Sequence, residues 1–422
     1  MEPFNLKSQQ WYVEDTALAL IAREVGTPCY IYSKSALEQR WQSFQQAFKN
    51  HPYQINYAVK ANSNLAVLNV LAKLGSGFDI VSGGELHRVL KAGGDPKKII
   101  FSGVGKSAQE LSDALKVGIG CINIESEMEL SRLNEIAIAL GQKAKIAFRI
   151  NPNVDSKSHP YISTGLEENK FGIRMEDALL LYQQATELAG IEIEGLAYHI
   201  GSQITSLSPF IEALQKILPL VQSLKQLGIP LKHLDIGGGL GVCYQSETPP
   251  SPEEYIATLL AELGPLPLAI HIEPGRAIAA PAGVLLTRVE YIKKQGTQNK
   301  YFAIVDAAMN DLLRPALYNA WQEIIPIQPT VAPTGSSALY DIVGPVCETS
   351  DFLGKDRLLS IKAGDVLMIR NAGAYGFSMS SNYNSRPRVA EVMVEGKTFQ
   401  IIRERETVED LFRTEYLFTA TK

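Results

Sequence analysis

The residue whose type and position most clearly indicate chemistry in this chain is Lys60. It closes the segment Tyr57-Ala58-Val59-Lys60, at the end of an apolar run that predicts a short buried strand over Ile55–Val59. An amine fixed at the carboxyl end of a buried strand is partly desolvated, which favours its neutral form and suits it to form a Schiff base with an aldehyde. The alternative is an ordinary strand-end lysine that extends its amine into solvent. Seven later strand ends favour the first interpretation, because they also carry polar, charged or glycine-rich groups.

The elements that position Lys60 follow a repeated strand–helix pattern. Eight short apolar or β-branched runs predict strands, namely Ile55–Val59, Phe78–Val81, Ile99–Phe101, Ile122–Ile124, Lys145–Ile150, Gly195–His199, His233–Ile236 and Ala269–Glu273. Helices are indicated between them by a leucine stripe over residues 65–74, by capping boxes that begin at Ser107 and Ser126, and by Ser-Pro pairs at 208–209 and 251–252. This alternation, repeated over about 220 residues, predicts an α/β fold with a closed (β/α)8 barrel. The alternative, an open doubly wound sheet, would place ligand-binding glycines in the first turn, whereas the glycine run here comes late.

The sequence pattern changes after Arg276. Five strand-like segments follow with few helical patterns between them: Gly283–Ile292, Tyr301–Asp306, Ala338–Val343, Gly364–Arg370 and Arg388–Val394. Their turn residues favour an antiparallel β domain, a barrel or a sandwich. We therefore expect an N-terminal segment of residues 1–28, a barrel of residues 29–280 and a β domain of residues 281–422. The N-terminal segment, with one predicted helix over Asp15–Glu24, is expected to pack with the β domain.

The predicted strand ends suggest the kind of ligand that the barrel binds, since functional side chains of such barrels lie there. In chain order the ends carry Lys60; Asp79 and Ser82; Ser102 and Gly103; Glu125; Arg149 and Asn151; His199, Gly201 and Ser202; Gly237 to Gly239; and Glu273 to Arg276. The set suits a ligand that is both a phosphate ester and an aromatic aldehyde. Glycines after the seventh strand let backbone N–H groups approach a phosphate, although a glycine run is equally typical of a tight turn. Ser202 and Arg276 add a hydroxyl donor and a positive charge.

Glu273, at the end of the eighth predicted strand, is placed to contact the ring of such a ligand. A carboxylate beside a pyridine nitrogen keeps that nitrogen protonated, which makes the ring a strong electron sink and favours decarboxylation over racemisation. His199, if it points into the barrel, can lie flat on the ring. The structural alternatives are a buried acid paired with Arg276 and a core histidine. A third alternative is a metal-dependent hydrolase with an ion held by His199, His271 and Glu273, but it leaves Lys60 and the glycines without a role.

The composition is that of a globular chain, and it argues against nucleic-acid and membrane binding. Of its 422 residues, 45% are hydrophobic and 20% charged, the net charge is −5, and no basic run is present. No apolar stretch reaches ~18 residues, and the first residues lack the pattern of a signal peptide. The cysteines (Cys29, Cys121, Cys243 and Cys347) are far apart and indicate neither a zinc site nor a disulfide framework. We expect about two domains, no bound metal and a cytoplasmic location.

Taken together, the motifs resemble the alanine-racemase-like decarboxylases that depend on pyridoxal 5'-phosphate (PLP), and within them the diaminopimelate decarboxylases. The resemblance spans nearly the whole sequence and is carried by Y-A-V-K at 57–60, H-I-G-S at 199–202, G-G-G at 237–239, E-P-G-R at 273–276, R-P-A-L-Y at 314–318, C-E-T-S-D at 347–351 and G-A-Y at 373–375. It implies a PLP-binding (β/α)8 barrel with a C-terminal β domain, and decarboxylation of meso-2,6-diaminopimelate to L-lysine. It also implies a homodimer in which Cys347 and Glu348 complete the active site of the partner subunit.

The resemblance further implies roles for individual residues. Lys60 and Cys347 are the catalytic pair, the first forming the Schiff base and the second donating the proton that replaces the lost carboxylate. Cofactor binding is implied for Lys60, Asp79, His199, Ser202, Gly238, Gly239, Glu273, Gly275, Arg276 and Tyr375. Substrate binding is implied for Arg276, Arg314, Tyr318, Glu348 and Tyr375. Without the adjacent Glu348, Cys347 would be interpreted as a small buried hydrophobic residue.

The charges of the second domain favour diaminopimelate as substrate. A cation, Arg314, and an anion, Glu348, together can bind the remote zwitterionic end of this molecule, whereas ornithine has no remote carboxylate. In related ornithine enzymes an aspartate usually follows the cysteine. Thr349 stands where many relatives carry serine, and because the hydroxyl is kept we expect little change. The remaining alternatives are a decarboxylase of ornithine, arginine or carboxynorspermidine, and a non-catalytic PLP-binding relative, which usually lacks the lysine or the cysteine segment.

Overall fold

The structure, a computed structural model, describes residues 3–156, 164–165, 169–295, 300–329 and 337–418. Contacts within the chain define two compact units, one of Leu37–Ala280 and one of Met1–Ala36 together with Pro281–Lys422. No helix among these described residues is both long and apolar enough to cross a membrane.

The chain begins with short strands and two helices: β1 (Phe4–Lys7), β2 (Gln10–Val13), β3 (Thr16–Ala17), α1 (Leu18–Val25), β4 (Cys29–Ser33) and α2 (Lys34–Ala47). The first three strands form a small antiparallel sheet, which the sequence pattern did not predict. The helix predicted from Asp15 begins only at Leu18, because residues 16–17 pair with β2 as strand β3.

The unit Leu37–Ala280 alternates strands and helices as far as its last strand. Its elements are β5 (Tyr53–Ala58), α3 (Leu65–Lys73), β6 (Gly77–Ile80), α4 (Gly83–Lys91), β7 (Ile99–Phe101), α5 (Ala108–Val117), β8 (Cys121–Ile124), α6 (Glu127–Ala139), β9 (Ala144–Asn151), β10 (Ile173–Arg174), α7 (Met175–Thr186), β11 (Ile191–Ala197), α8 (Ser208–Gln226), β12 (His233–Asp235), α9 (Pro252–Leu263), β13 (Ala269–Ile272) and α10 (Arg276–Ala279). All strand pairs are parallel; β9 joins β8 to β11, and β13 returns to β5, so eight strands close into a barrel. The predicted (β/α)8 barrel is confirmed, and the short β10 lies beside β9.

Local sequence signals account for where several of its helices begin. Ser107 and Ser251 each form a complete capping box, in which the serine accepts the N3 backbone N–H and the N3 glutamate accepts the N–H of the serine. At Ser126 only half of the predicted box forms, because Glu129 accepts the N–H of Glu125 instead. Ser208 is not a cap, since helix α8 already begins there and Leu207 occupies the cap position.

The middle of the barrel combines small apolar side chains with buried polar ones. Ile100, Cys121, Ala147 and Ala197 form one buried cluster on four neighbouring strands. On the other strands the buried polar residues include Asn56, Asp79, His233 and Asp235. The rings of His233 and His271 stack at a centroid distance of 4.1 Å. The interior of this barrel therefore contains ionisable side chains in layers that branched aliphatic side chains usually fill.

The buried His233 makes the stability of the fold depend on pH. Burial lowers the pKa of His233 to about 4, against ~6.5 in an unfolded chain. Its contribution to stability is therefore fully present above about pH 6.5 and is lost as the pH falls toward 4, because only the unfolded chain binds the proton. Replacing His233 with asparagine is expected to shrink the stability difference between about pH 7 and pH 5 by about 2 kcal/mol.

Urea unfolding of both proteins at the two pH values measures this difference, and asparagine at the exposed His87 serves as the control. An equal loss of stability on acidification in the wild type and in His233→Asn would contradict a neutral buried imidazole.

The unit of Met1–Ala36 and Pro281–Lys422 is built on a mixed sheet. Its further elements are β14 (Gly283–Gln295), β15 (Lys300–Val305), α11 (Arg314–Tyr318), β16 (Ile324–Pro326), β17 (Ala338–Val343), β18 (Phe352–Leu359), β19 (Val366–Ile369), β20 (Ala390–Glu395) and β21 (Thr398–Arg403). The main strand order is β18-β17-β15-β14-β4-β20-β21, and β19 pairs with β14 and β16. Most pairs are antiparallel as expected, but β15 with β17 and β20 with β4 are parallel, which corrects the purely antiparallel expectation.

Strand β4 belongs to this sheet and not to the barrel. Cys29–Ser33 pairs with β14 on one side and β20 on the other, so the segment from residue 29 to 36, assigned to the barrel from sequence, lies in the β unit. Its side chains join a buried cluster that also contains Phe4, Val13 and Leu18 of the N-terminal segment and Val392 of β20. Apolar side chains from both ends of the chain thus share one core.

Candidate active site

Lys60 lies in a single 3₁₀ turn, Val59–Ala61, directly after strand β5. Val59 and Ala61 are buried, which anchors the turn, while the Lys60 side chain remains 40% exposed. Its Nζ lies 2.7 Å from Oδ2 of Asp79 on the adjacent strand β6. The fully buried Asp79 carboxylate thus orients the amine at the carboxyl end of the strands.

Gly275 lets the segment after β13 pack closely against the turn that carries Lys60. A Cβ at Gly275 would lie 3.0 Å from the Cβ atoms of both Ala58 and Ala61, which is tighter than ordinary contact. The backbone N–H of Ala58 donates to the carbonyl of Pro274 at 3.3 Å. We infer that glycine is needed here for packing behind Lys60.

A cavity of about 410 Å³ opens at this end of the barrel. Lys60, His199 and Glu273 line it, together with Ser102, Asn123 and Arg149. Its volume falls within the range of small-molecule sites, roughly 300–1,000 Å³. The structure therefore brings the predicted amine, ring-stacking group and acid onto one cavity.

His199 is held as a neutral imidazole on the wall of this cavity. Its Nδ1 accepts the backbone N–H of Gly238 at 3.1 Å, so the ring proton is on Nε2. Burial, and then the positive charges of Arg149 and Lys60, lower the pKa of His199 well below its usual value. A flat, uncharged ring suits stacking on an aromatic ligand better than an imidazolium does.

The backbone after β12 packs so closely against neighbouring carbonyl groups that glycine is required there. A Cβ at Gly238 would lie 2.3 Å from the carbonyl oxygen of Glu273, and one at Gly239 would lie 2.7 Å from that of Gly201. Gly239 also has a φ of +115°, which disfavours other residues. Because the N–H of Gly238 is bonded to His199, Gly238 contributes to the site by fixing that ring, whereas sequence had suggested phosphate contact for the whole run.

Arg276 and Ser202 form a polar pair. The guanidinium donates from Nη2 to Ser202 Oγ at 2.9 Å and from Nη1 to the hydroxyl of Tyr244 at 2.9 Å. Arg276 is 6% exposed. Two hydroxyl groups therefore hold a buried cation in place, and Tyr244 is a partner that sequence reasoning missed.

The position of Tyr244 is fixed by an acid in its own loop. Oε2 of Glu247 accepts the backbone N–H groups of Tyr244, Gln245 and Ser246 at 2.7–3.2 Å. Such side-chain capping of successive N–H groups orders a loop. The sequence signal was the single acid three residues after the tyrosine, which does not by itself identify a partner for Arg276.

The carboxyl group of Glu273, which lines the cavity, is repelled by two buried acids. Burial, followed by the negative charges of Asp235 and Asp79, raises the pKa of Glu273 well above its usual value, whereas Lys60 and Arg149 act in the opposite direction. Burial also raises the pKa of Glu85, near Lys60 and Asp79, to about 7. A cation placed against Glu273 would relieve this repulsion.

Apart from Arg276, the predicted substrate-binding residues lie in the β unit, where three loops are joined by hydrogen bonds. Asp351 accepts the N–H of Met309, and Asn310 bonds to the segment 381–386. The N–H of Cys347 donates to Asn384 Oδ1 at 2.8 Å. Arg314, buried at the start of α11, and Tyr318 follow directly after the first of these loops.

Cys347 and Glu348 are both exposed in the β unit. The Glu348 carboxylate accepts the hydroxyl of Tyr383, which sequence reasoning missed, at 2.5 Å. Tyr375 adopts a positive φ of 54°, uncommon for a residue other than glycine. The exposed thiol of Cys347 has the open, polar setting that a reactive cysteine needs.

The metal alternative has no ligand set among the described residues. No group of three or more histidine, cysteine, aspartate or glutamate side chains there is placed to hold a metal ion. His271, one of the three suggested ligands, instead stacks on His233.

Comparison with known proteins identifies the family. The model of the pyridoxal-dependent decarboxylase, pyridoxal binding domain, matches residues 34–280. The diaminopimelate decarboxylase of Vibrio cholerae is 56% identical over 417 residues, which is 98% of this chain and 99% of that protein. The chain belongs to the diaminopimelate decarboxylase family. The enzyme of Pseudomonas aeruginosa is 52% identical, with 99% of each chain covered.

Solved structures of this family have the same fold. Diaminopimelate decarboxylase from Helicobacter pylori, complexed with L-lysine, is 47% identical, has a TM-score of 0.90, and aligns over 94% of this chain and 98% of that one. The enzyme from M. jannaschii, also in complex with L-lysine, is 37% identical with a TM-score of 0.93, over 99% and 98% of the chains. The chain is therefore a PLP-dependent decarboxylase, and the fold predicted from sequence is confirmed.

The residues around the cavity fit PLP. Lys60, the neutral imidazole of His199 and the acid Glu273 line the cavity and are the groups that the aldehyde, ring and ring nitrogen of PLP need. The Ser202–Arg276 pair provides the hydroxyl and positive charge that its phosphate needs. The roles of the individual residues remain predictions.

Replacing Tyr244 with phenylalanine is expected to weaken PLP binding about tenfold, because a hydrogen bond to a buried charge is lost. Fluorescence titration of the apoenzyme with PLP measures the dissociation constant. Phenylalanine at Tyr53, which stacks on Phe48 at the amino end of β5, is the matched control. Equal affinity of Tyr244→Phe and wild type would exclude a role for this hydroxyl.

Proposed function

We propose that this chain catalyses the decarboxylation of meso-2,6-diaminopimelate to L-lysine and CO2, the last step of lysine biosynthesis by the diaminopimelate pathway. The observation that supports this best is the placement of Lys60, His199 and Glu273 on one cavity of about 410 Å³ in a chain 56% identical to a named diaminopimelate decarboxylase.

The chemistry requires an electron sink for the charge left by CO2, and bound PLP supplies it through its pyridine ring. Lys60 holds the aldehyde end, with its amine oriented by Asp79. His199 covers one face of the ring and excludes water from it. Burial and the negative charge of Asp235 raise the pKa of Glu273. Glu273 pairs with the protonated ring nitrogen, which is the cation that relieves this repulsion.

The phosphate and the substrate are bound by the remaining predicted residues. Arg276 and Ser202 are the phosphate partners, and Arg276 also reaches the substrate. Gly239 gives the phosphate room, since any side chain would meet the Gly201 carbonyl at this φ. The contacts of Arg276 and Ser202 with the phosphate are polar and directional, so they fix the orientation of the ring above Glu273.

The β unit supplies the residues for substrate selection and for the proton. Arg314 and Tyr318 bind the remote carboxylate, Glu348 binds the remote ammonium group, and Tyr375 contacts substrate and cofactor. Cys347 delivers a proton to the carbon that lost CO2. The hydrogen bond from the Cys347 N–H to Asn384 supports this role, because it fixes the exposed loop that carries the thiol.

We further propose that the active form is a cytoplasmic homodimer in which Cys347 and Glu348 act in the site of the partner subunit. Mixing the subunits of two inactive variants in equal amounts tests whether the sites are shared. Mixed Lys60→Ala and Cys347→Ala subunits are expected to regain roughly a quarter of wild-type activity, because half of the dimers are mixed and each mixed dimer has one intact site. No recovery after subunit exchange, verified by tagged copies, would contradict shared sites.

The substrate is tested by CO2 release from meso-diaminopimelate with and without added PLP. Side-by-side turnover of ornithine, arginine and carboxynorspermidine covers the alternative substrates. We expect release to depend on PLP and to be fastest with meso-diaminopimelate. A higher kcat/KM for one of the other three would overturn the assignment, and absence of turnover with all four would favour a non-catalytic relative.

A further inference from the structure

A second cavity, of about 530 Å³, opens at the end of the barrel opposite Lys60. Its walls are formed at the amino ends of the strands, from Gln54 near the start of β5 to Ala269 at the start of β13. We call it the floor cavity. Its volume lies within the range of small-molecule sites, roughly 300–1,000 Å³. The proposed function uses none of the residues that line it.

The charged side chains of the floor cavity are mostly cations. Four lysines and, among the described residues, a single acid line it: Lys97, Lys143, Lys145, Lys232 and Glu194. The whole chain has a net charge of −5, so this positive excess is local. The stacked rings of His233 and His271 also line the cavity, and burial lowers the pKa of both, so they are uncharged at neutral pH. A concave site lined by one sign of charge favours a ligand of the opposite sign.

Glu194 compensates two of the four lysines. Its Oε1 accepts a hydrogen bond from Lys232 Nζ at 2.8 Å and lies 3.7 Å from Lys145 Nζ. Lys232 also pairs with Glu192 at 3.2 Å. The positive charges of Lys145 and Lys232 are therefore balanced by acids of strand β11, whereas those of Lys97 and Lys143 are not.

The side-chain amines of Lys97 and Lys143 make no hydrogen bond or ion pair with any residue that the structure describes. Both side chains are exposed. The adjacent Lys98, in contrast, donates to the Gly75 carbonyl at 3.0 Å, as lysines near a helix C-terminus commonly do. Two uncompensated cations on one cavity are available to a ligand.

The backbone is fixed at both lysines. The N–H of Lys97 donates to Asp95 Oδ1 at 3.0 Å. A Cβ at Gly120 would lie 2.3 Å from the Lys97 carbonyl oxygen, so the loop before β8 packs directly against the turn that carries this lysine. Lys143 directly precedes β9, whose first N–H donates to the Gly190 carbonyl at 2.8 Å. Only the side chains themselves therefore need to be ordered on binding.

We propose that the floor cavity binds a small organic anion with at least two carboxylate or phosphate groups, one held by the Lys97 amine and another by the Lys143 amine. Lys97 precedes β7 and Lys143 precedes β9, with β8 between them, so their backbones are two strand spacings apart, roughly 10 Å. Two flexible side chains starting at this separation can reach two groups of one small molecule. Charge-assisted hydrogen bonds to carboxylate or phosphate are the stronger kind. No described residue lines both cavities, so the site is separate from that of PLP and independent of the proposed reaction.

The test is calorimetric titration of the holoenzyme with citrate and with pyrophosphate, at an ionic strength held constant with KCl. We expect a dissociation constant on the order of 1 mM or lower for at least one of them, and the tighter of the two identifies carboxylate or phosphate as the preferred group. Acetate and inorganic phosphate, which offer one group each, are expected to bind at least ~10-fold more weakly. The double variant Lys97→Ala/Lys143→Ala is expected to bind the preferred probe at least ~10-fold more weakly than the wild type.

The matched control is the double variant Lys73→Ala/Lys91→Ala. These exposed lysines lie in the last turns of α3 and α4, do not line the floor cavity, and change the net charge by the same amount. The control is expected to bind the probe within about twofold of the wild type. Absence of binding in the wild type, equal affinity in Lys97→Ala/Lys143→Ala, or an equal loss in the control would each overturn the proposal.

A second measurement locates the bound anion in the unmodified protein. Acetylation of individual lysines by acetic anhydride, followed by mass spectrometry, is expected to slow at least ~5-fold at Lys97 and Lys143 when the probe is saturating. Lys216, which pairs with Glu212 at 3.0 Å on the outer helix α8, is expected to react at an unchanged rate. Binding without protection of Lys97 and Lys143 would place the anion elsewhere and contradict the proposal.

Discussion

Replacing Lys60 with alanine is expected to lower kcat by at least ~10⁴-fold and to remove the near-visible absorbance of covalently bound PLP. The reason is that, in the proposed mechanism, the amine is the covalent attachment point. Its place is specified by the buried turn Val59–Ala61 and by Asp79, 2.7 Å away. No other lysine lines the cavity among the described residues. Stopped-assay CO2 release and the absorption spectrum of the purified variant measure the two effects.

Lys145→Ala is the matched control, because Lys145 lies at the amino end of strand β9, on the opposite side of the barrel, and is 51% exposed. It is expected to retain the spectrum and activity within about twofold. A Lys60→Ala protein that keeps both the absorbance and the turnover would end the hypothesis of a Schiff-base lysine.

Replacing Cys347 with alanine is expected to lower kcat by roughly 10²- to 10⁴-fold while KM changes less than about threefold. In the proposed mechanism the thiol acts after CO2 has left, so its loss removes a proton donor without removing a binding contact. Steady-state kinetics with meso-diaminopimelate separate the two constants. Proton delivery is also reported by the product, because a variant that protonates from bulk water loses stereochemical control of deuterium incorporation.

Cys243→Ala is the control, since Cys243 is the other exposed cysteine among the described residues. It is expected to keep kcat within about twofold. An unchanged kcat in Cys347→Ala would remove Cys347 from the mechanism and return it to a structural role.

Sequence patterns among neighbouring residues were sufficient to predict the barrel. Strand β7, Ile99–Phe101, has the predicted bounds, the capping box at Ser107 forms as predicted, and Ser251 is the predicted cap before a proline. Both depend on neighbouring residues, because a strand is identified by its apolar run and a cap by a serine with a glutamate three residues on. The family motifs at 57–60 and 273–276 added the cofactor and the reaction.

The pairing of strands that are far apart in the sequence could not be predicted. From sequence, Cys29–Ser33 was assigned to the barrel, but its pairing with β14 and β20, more than 250 residues away, places it in the β unit. The parallel pairing of β15 with β17 is likewise invisible in an apolar run, since strand direction depends on how the connection folds.

The sequence by itself determined three things: the repeated strand–helix pattern with eight strands, the lysine that follows the first barrel strand, and the family that these motifs resemble. Only the tertiary structure decided which groups share an environment. It placed Tyr244 on Arg276, His199 on the Gly238 N–H, and the Lys60 amine on Asp79. The physical reason is that periodicity and capping are properties of adjacent residues, whereas burial and charge coupling depend on residues that closure of the barrel brings together.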